Sequence, residues 1–128
     1  KQTEIHCVRR MNKEALTQVF SQIPGCRVVE EKEHAETSWF GVPIIYEDGK
    51  HHLVKYLEEK GVQTRNYFAG NILMHPAYKH LDDPKNYPNA CKVLDNVFFL
   101  GCSPVITVDM LDYIDDMVKN YLQEIKHD

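Results

Sequence analysis

SWFGVPIIYEDGKHHLVKYLEEKGVQTRNYFAGN, residues 38 to 71, changes its hydrophobic period twice, and the order of the changes indicates the fold. Residues 38 to 47 are rich in aromatic and β-branched side chains, which predicts a strand, and EDGK ends it with Asp48-Gly49 as a turn pair. Pro43 has no N–H for a β-ladder, so it predicts an edge position or a bulge. From Lys50 to Lys60 the pattern is helical, with Leu53, Val54 and Leu57 on one face and Gly61 placed to end the helix in a left-handed conformation. VQTRNY, 62 to 67, is extended again. The unit is strand, helix, strand, and its second strand runs directly into FAGN.

Working outward, Leu16, Val19, Phe20 and Ile23 recur at helical spacing, which predicts an amphipathic helix over about residues 10 to 22, stopped by Pro24 and Gly25. RVVEE, 27 to 31, is a short strand candidate, and the polar EKEHAE after it reads as a loop. Beyond FAGN the chain passes Pro76, Pro84 and Pro88 with little periodicity, a connection of roughly 20 residues of the kind that is often functional, with a short helix near 88 to 96. VFFLG, 97 to 101, reads as a buried strand. Thr107 is placed to cap a long helix in which Leu111, Ile114, Val118, Leu122 and Ile125 form the buried stripe. The order predicts a two-layer α+β domain, a small, mostly antiparallel sheet covered by helices.

At 128 residues the chain matches one domain. With 43% apolar and 27% charged residues it has an ordinary globular composition, not that of a disordered or fibrous chain. A net charge of −4 with no Lys/Arg cluster argues against nucleic-acid and acidic-membrane partners. The longest apolar runs are too short to span a bilayer and no signal-peptide pattern opens the chain, so the expectation is a soluble, cytoplasmic protein. The chain starts without Met inside a helical pattern, which suggests a piece of something larger. Cys7, Cys26, Cys91 and Cys102 form no close pair, which predicts reduced, packed thiols and no metal site. The histidines form no i, i+4 ligand pair.

Four residues are candidates for a binding site. The planar fork of Arg65 suits a phosphate or carboxylate, or it rests on the surface beside a glutamate. Asn71, next to Gly70, either presents its amide to a polar ligand or closes the turn through its own side chain. Phe68 walls a pocket or joins the core. His75 has no acid or base partner recognisable in the sequence. No Ser/His/Asp order, phosphate loop or dinucleotide fingerprint is present, so the residues alone define no reaction.

SWFG (38–41), LEEKG (57–61), TR-x-x-FAGN (64–71), PNA (88–90), VLDNVFFLGCSP (93–104) and T-x-x-MLDYI (107–114) together resemble the C-terminal domain of sugar-nucleotide dehydratases and aminotransferases of the DegT/DnrJ/EryC1/StrS type, over about residues 35 to 121. SWFG with FAGN points to the dehydratase branch, because the ordinary sugar aminotransferases carry a histidine-containing stretch where FAGN stands. The resemblance implies the small C-terminal domain of a fold-type-I enzyme. Pyridoxal or pyridoxamine phosphate would be held mainly by a preceding large domain, and none is expected on this chain alone.

The resemblance further implies a nucleotide-linked 4-keto-6-deoxy sugar as substrate, by analogy with CDP-4-dehydro-6-deoxyglucose 3-dehydratase in deoxysugar and O-antigen lipopolysaccharide synthesis. The cofactor would supply the electron sink, and a histidine upstream of Lys1, in place of the usual Schiff-base lysine, would move the proton. A homodimer and a reductase partner are implied as well; an iron-sulfur cluster is not carried over, because the cysteine spacing does not match. Arg65, Phe68, Asn71 and His75 fall at the sugar cleft, with no catalytic residue in this chain. Met74 and His75 stand where members read Arg and Gln, and FFLGCSP replaces FWIGVYP. The alternatives are a 4-keto-sugar aminotransferase domain and a non-catalytic binding module.

Overall fold

Strands Cys26–Val28 (β1), Gly41–Tyr46 (β2), Arg65–Asn66 (β3) and Val97–Gly101 (β4) pair antiparallel throughout, in the spatial order β1-β2-β4-β3. The computed structural model describes residues 1–47 and 49–126. Asp48, half of the expected Asp48-Gly49 turn, lies outside the described residues.

Side chains alternate across a sheet, so the register sorts them. Val42 faces Leu100 and Ile44 faces Phe98 on one side, and Pro43 faces Phe99 and Ile45 faces Val97 on the other. The first side carries the core. Helices Gln2–Phe20 (α1), Lys50–Glu59 (α2) and Val108–Glu124 (α4) cover it with Leu16, Phe20, Leu53, Leu57, Val118 and Tyr121. Phe20 meets Phe98 edge to face, with 6.3 Å between ring centroids.

Pro43 is not on an edge. β2 lies between β1 and β4, and its register runs through without a bulge. The Pro43 carbonyl accepts from Val29 N at 3.0 Å, one residue past the end of β1. Backbone N and C=O of one residue point to the same side of an antiparallel strand, so the missing N–H falls where β1 has already run out. The proline costs the ladder only the reciprocal bond to Val29, just past the last residue of β1.

Helix α1 starts at Gln2, well before residue 10. Its buried residues, Asn12, Leu16, Val19 and Phe20, all lie in the second half, so the apolar stripe marks only that half, while the start at Gln2 agrees with the helical pattern at the head of the chain. Strand β1 ends at Val28 because the chain then turns away: Glu31 accepts from both Arg10 terminal nitrogens, at 2.7 and 3.0 Å, and from Thr37 N at 2.6 Å.

Helix α2 ends as the sequence predicts. Gly61 has φ +76°, its N–H donates to the Glu58 carbonyl and Val62 N donates to the Leu57 carbonyl, the pair of bonds that closes a Schellman turn. At α4 the Thr107 hydroxyl accepts from Met110 N at 3.3 Å. Leu111, Leu122 and Ile125 are only half-buried, while Tyr121, which the aliphatic period overlooks, is enclosed, its ring 5.2 Å from Tyr56 and its hydroxyl 3.0 Å from His52 Nδ1. The long connection contains two short 3-10 turns, Ile72–Met74 and Pro84–Asn86, and helix Pro88–Asn96 (α3). Among the described residues no helix is long and apolar enough to cross a membrane.

Candidate functional site

β3 is only two residues long, and its position is set from α2. Glu58 accepts from Thr64 N and from the Thr64 hydroxyl, both at 2.7 Å, and these bonds hold its carboxyl below the usual carboxylate range. Thr64 is thereby buried and Arg65 pairs opposite Phe99, which directs its side chain to the face of the sheet that the helices leave open. With the Gln63 amide turned to present its oxygen, the Arg65 guanidinium nitrogens stand 3.1 and 2.9 Å from it. Glu58 is occupied by Thr64, and Arg65 makes no salt bridge among the described residues. A neutral amide is a weak partner for a guanidinium, so the fork remains open to an anion.

Phe99 lies at the centre of this open face. The rings of Phe68, Phe40 and Tyr67 stand 5.6, 6.0 and 6.3 Å from it and shield it, leaving Phe99 buried while Phe40 and Phe68 are 69% and 70% exposed. With Trp39 and Pro43 they line a cleft of about 220 Å³. Phe68 is thus a wall and not a core residue.

Asn71 lies beneath the loop at 2% exposure. Its oxygen accepts from Leu73 N at 3.1 Å, and its amide nitrogen stands within 3.2 Å of both the Pro84 carbonyl and Cys91 Sγ. The side chain closes the turn and ties it to the second half of the connection and to α3. Gly70, with φ +60°, packs on α3, and a Cβ there would come within 2.7 Å of Leu94 Cδ1. The Lys50 ammonium is buried, which lowers its pKa, and it donates to the Leu94 carbonyl at 2.5 Å, where a cation suits the end of α3. His75 is exposed, with Nε2 3.2 Å from the Ala69 carbonyl, and none of its hydrogen bonds reaches an acid or a base.

The structure therefore brings Arg65 and Phe68 to one face, places Asn71 under the loop that follows, and turns His75 back onto that loop. Phe40, Tyr67 and Phe99 escaped the sequence reading as site residues. Strand alternation from Pro43 and from Phe99 was the available signal for the face, but which face stays open depends on where the helices pack. An aromatic wall and one arginine fit a ring and an anion. They do not amount to a pyridoxal phosphate site, because no lysine or arginine lines the cleft itself and Arg65 only shares its face. No group of three or more metal-ligating side chains converges among the described residues.

A four-stranded antiparallel sheet with helices on one face and a loop-bordered cleft on the other places the chain with the fold-type-I pyridoxal-phosphate enzymes, whose structures share it. Residues 2–119 match the family model for the DegT/DnrJ/EryC1/StrS aminotransferase family, and the chain belongs to that family. It is 32% identical over 120 residues to dTDP-4-dehydro-2,6-dideoxy-D-glucose 3-dehydratase of Saccharopolyspora spinosa, covering 89% of this chain and 26% of the relative. Lipopolysaccharide biosynthesis protein RfbH of Salmonella typhimurium is 31% identical over 91 residues, 66% of this chain and 21% of the relative. The chain thus spans about a quarter of these relatives' length. The structure of E. coli GDP-4-keto-6-deoxy-D-mannose-3-dehydratase with bound hydrated PLP superposes with a TM-score of 0.71 at 28% identity, over 88% of this chain and 30% of that one. Aminotransferase structures at 17 to 18% identity share the fold alone.

Proposed function

We propose that the chain is the C-terminal domain of a longer pyridoxal- or pyridoxamine-phosphate-dependent nucleotide-sugar 3-dehydratase, acting on a nucleotide-linked 4-keto-6-deoxy sugar in deoxysugar or lipopolysaccharide synthesis. The observation that carries the reading is the contrast in identity: 27 to 32% to proteins named as 3-dehydratases, against 17 to 18% to the aminotransferase structures. The cofactor supplies the electron sink of such a reaction and would be held by the preceding part of the polypeptide. This chain contributes the wall of the sugar cleft. Arg65 pairs a negatively charged group of the substrate, Phe68 and Phe40 exclude water beside it, and His75 lies on the loop at the rim. Asn71 serves the cleft by holding that loop from beneath. In this reading the full-length enzyme is a cytoplasmic homodimer that hands its product to a reductase, and its substrate is of the CDP-4-dehydro-6-deoxyglucose type.

The test is Arg65→Ala in the full-length enzyme. Losing a charge-assisted contact worth about 1.5 to 3 kcal/mol should lower kcat/KM by about 10- to 150-fold with Tm unchanged. An unchanged kcat/KM removes Arg65 from the cleft. The family's other activity, 4-keto-sugar amination, is the second reading, favoured by the family model's own description. A lysine at the Schiff-base position of the preceding segment would establish it; a histidine there supports the dehydratase.

A further inference from the structure

The formal charge of this chain is concentrated in one helix. α4 carries Asp109, Asp112, Asp115, Asp116 and Glu124 against a single lysine, Lys119, a balance of −4 that equals the formal charge of all 128 residues. Lys119 pairs with Asp115, while Asp109, Asp112, Asp116 and Glu124 make no salt bridge among the described residues. Beside this acidic stripe, between α4 and the end of α2, lies a groove of two adjoining hollows, about 790 and 570 Å³, that meet at Tyr113. Val62, Leu100 and Ile114, all buried, line the first, and Met110 and Tyr113 stand at it with 52% and 47% exposure. Tyr56 and Met117 line the second. There the Tyr113 hydroxyl donates to the Lys60 carbonyl at 2.8 Å, and the Lys60 ammonium is turned onto the Tyr56 ring, 5.4 Å from its centre.

We propose that this groove docks a basic amphipathic helix of another polypeptide, with its apolar face on Met110, Tyr113 and Met117 and its lysines or arginines against Asp109, Asp112 and Asp116. Three features select that occupant. The lining residues Met110, Tyr113, Met117, Asn120 and Glu124 recur every three or four positions along roughly 21 Å of α4, the length of about four helical turns. Helices α2 and α4 spend their backbone groups on their own hydrogen bonds, so the groove offers an extended strand no ladder, and an occupant must bring its backbone already satisfied. The flexible thioethers of Met110 and Met117 adapt to many apolar shapes, and the acidic row beside them attracts a cationic partner and repels an anionic membrane or nucleic acid. A second copy of this face would set like charge against like. The inference does not depend on which reaction the enzyme catalyses.

Fluorescence anisotropy of labelled peptides with the full-length protein, at about 0.15 M salt, tests this. The probes are about 15 residues long: leucine and lysine in a helical amphipathic order, the same residues in an order that breaks the amphipathic face, and leucine with glutamate in the helical order. The first should bind about tenfold or more tighter than the second, and the third should not bind. Asp109→Asn, Asp112→Asn and Asp116→Asn together should weaken the first about tenfold or more. Met110→Glu, at an exposed position, separates groove from charge. Added negative charge would tighten binding driven by charge alone, whereas loss of an apolar anchor should weaken it about fivefold or more. Equal affinity for the two lysine peptides, tighter binding by Met110→Glu, or no effect of the triple substitution overturns the inference. Binding that appears only when dilution splits an oligomer gives the groove to a second copy and also overturns it. So does the absence of binding at any concentration, which leaves the groove covered by the rest of the polypeptide or unused.

Discussion

Asn71→Ala separates a residue that holds the loop from one that touches a ligand. In the native chain the Asn71 oxygen accepts from Leu73 N, and its amide nitrogen reaches the Pro84 carbonyl and Cys91 Sγ. Alanine removes all three contacts. Leu73 is buried, so its N–H loses its partner in a place with little access to water, at a cost of about 1 to 3 kcal/mol. The Pro84 carbonyl keeps its bond from Tyr87 N at 3.1 Å and a long contact from the Cys91 thiol at 3.5 Å, so losing the amide there removes one ordinary hydrogen bond, about 1 kcal/mol. The expected destabilisation is about 2 to 4 kcal/mol, or a fall in Tm of roughly 10 °C for a domain of this size. Urea unfolding followed by far-UV circular dichroism measures it. Asn71→Asp adds a pH signature. Its carboxylate would face the Pro84 carbonyl in a buried site, raising the folded-state pKa above the unfolded value of about 3.9, so stability should fall as pH rises from there. A loss below about 0.5 kcal/mol for Asn71→Ala, with turnover of the full-length enzyme nevertheless damaged, would refute the loop-holding account and return the amide to the ligand.

Glu31 is held down to about 2 first by its hydrogen bond to Arg10 and then by Thr37 N, so its contribution is present above the unfolded carboxyl pKa of about 4.3 and is lost as pH falls through about 2. The Tm difference between the native chain and Glu31→Gln should be full at neutral pH and vanish on acidification across that window. Gly70→Ala should cost about 1 to 3 kcal/mol in urea unfolding, because φ +60° disfavours a Cβ and Leu94 occupies its space. Val118→Ala, at a fully buried position, should cost about 2 kcal/mol and Leu122→Ala, half-buried, about half as much. Equal losses would mean that α4 is rotated relative to the sheet.

Local signals carried much of the architecture. Residues 97 to 101 form β4 as their unbroken apolar run implied, α3 occupies 88 to 96, Gly61 ends α2 in a left-handed conformation, and Thr107 caps α4. Each depends on neighbours within a few residues, so the period and the capping chemistry are written in consecutive letters. The candidate site was legible in part: strand periodicity placed Arg65 near a strand end and Phe68 just past it, but could not show whether the face they share is covered.

Residue order along the chain thus specified the elements, their sequence and those ends that Gly61 and Thr107 mark. The tertiary structure decided what depends on partners far away in sequence. Pairing β2 with both β1 and β4 put Pro43 on an inner strand, tolerated because its nitrogen faces the very end of β1. Closing the chain brought Glu31 against Arg10, Tyr121 against His52, and Asn71 against Pro84 and Cys91. Local pattern says that a side chain is apolar or can hydrogen-bond; which surface or group satisfies it is chosen when the whole chain competes to bury the most apolar area with the fewest unpaired polar groups, and that competition packed three helices on one face of the sheet and left the aromatic face open.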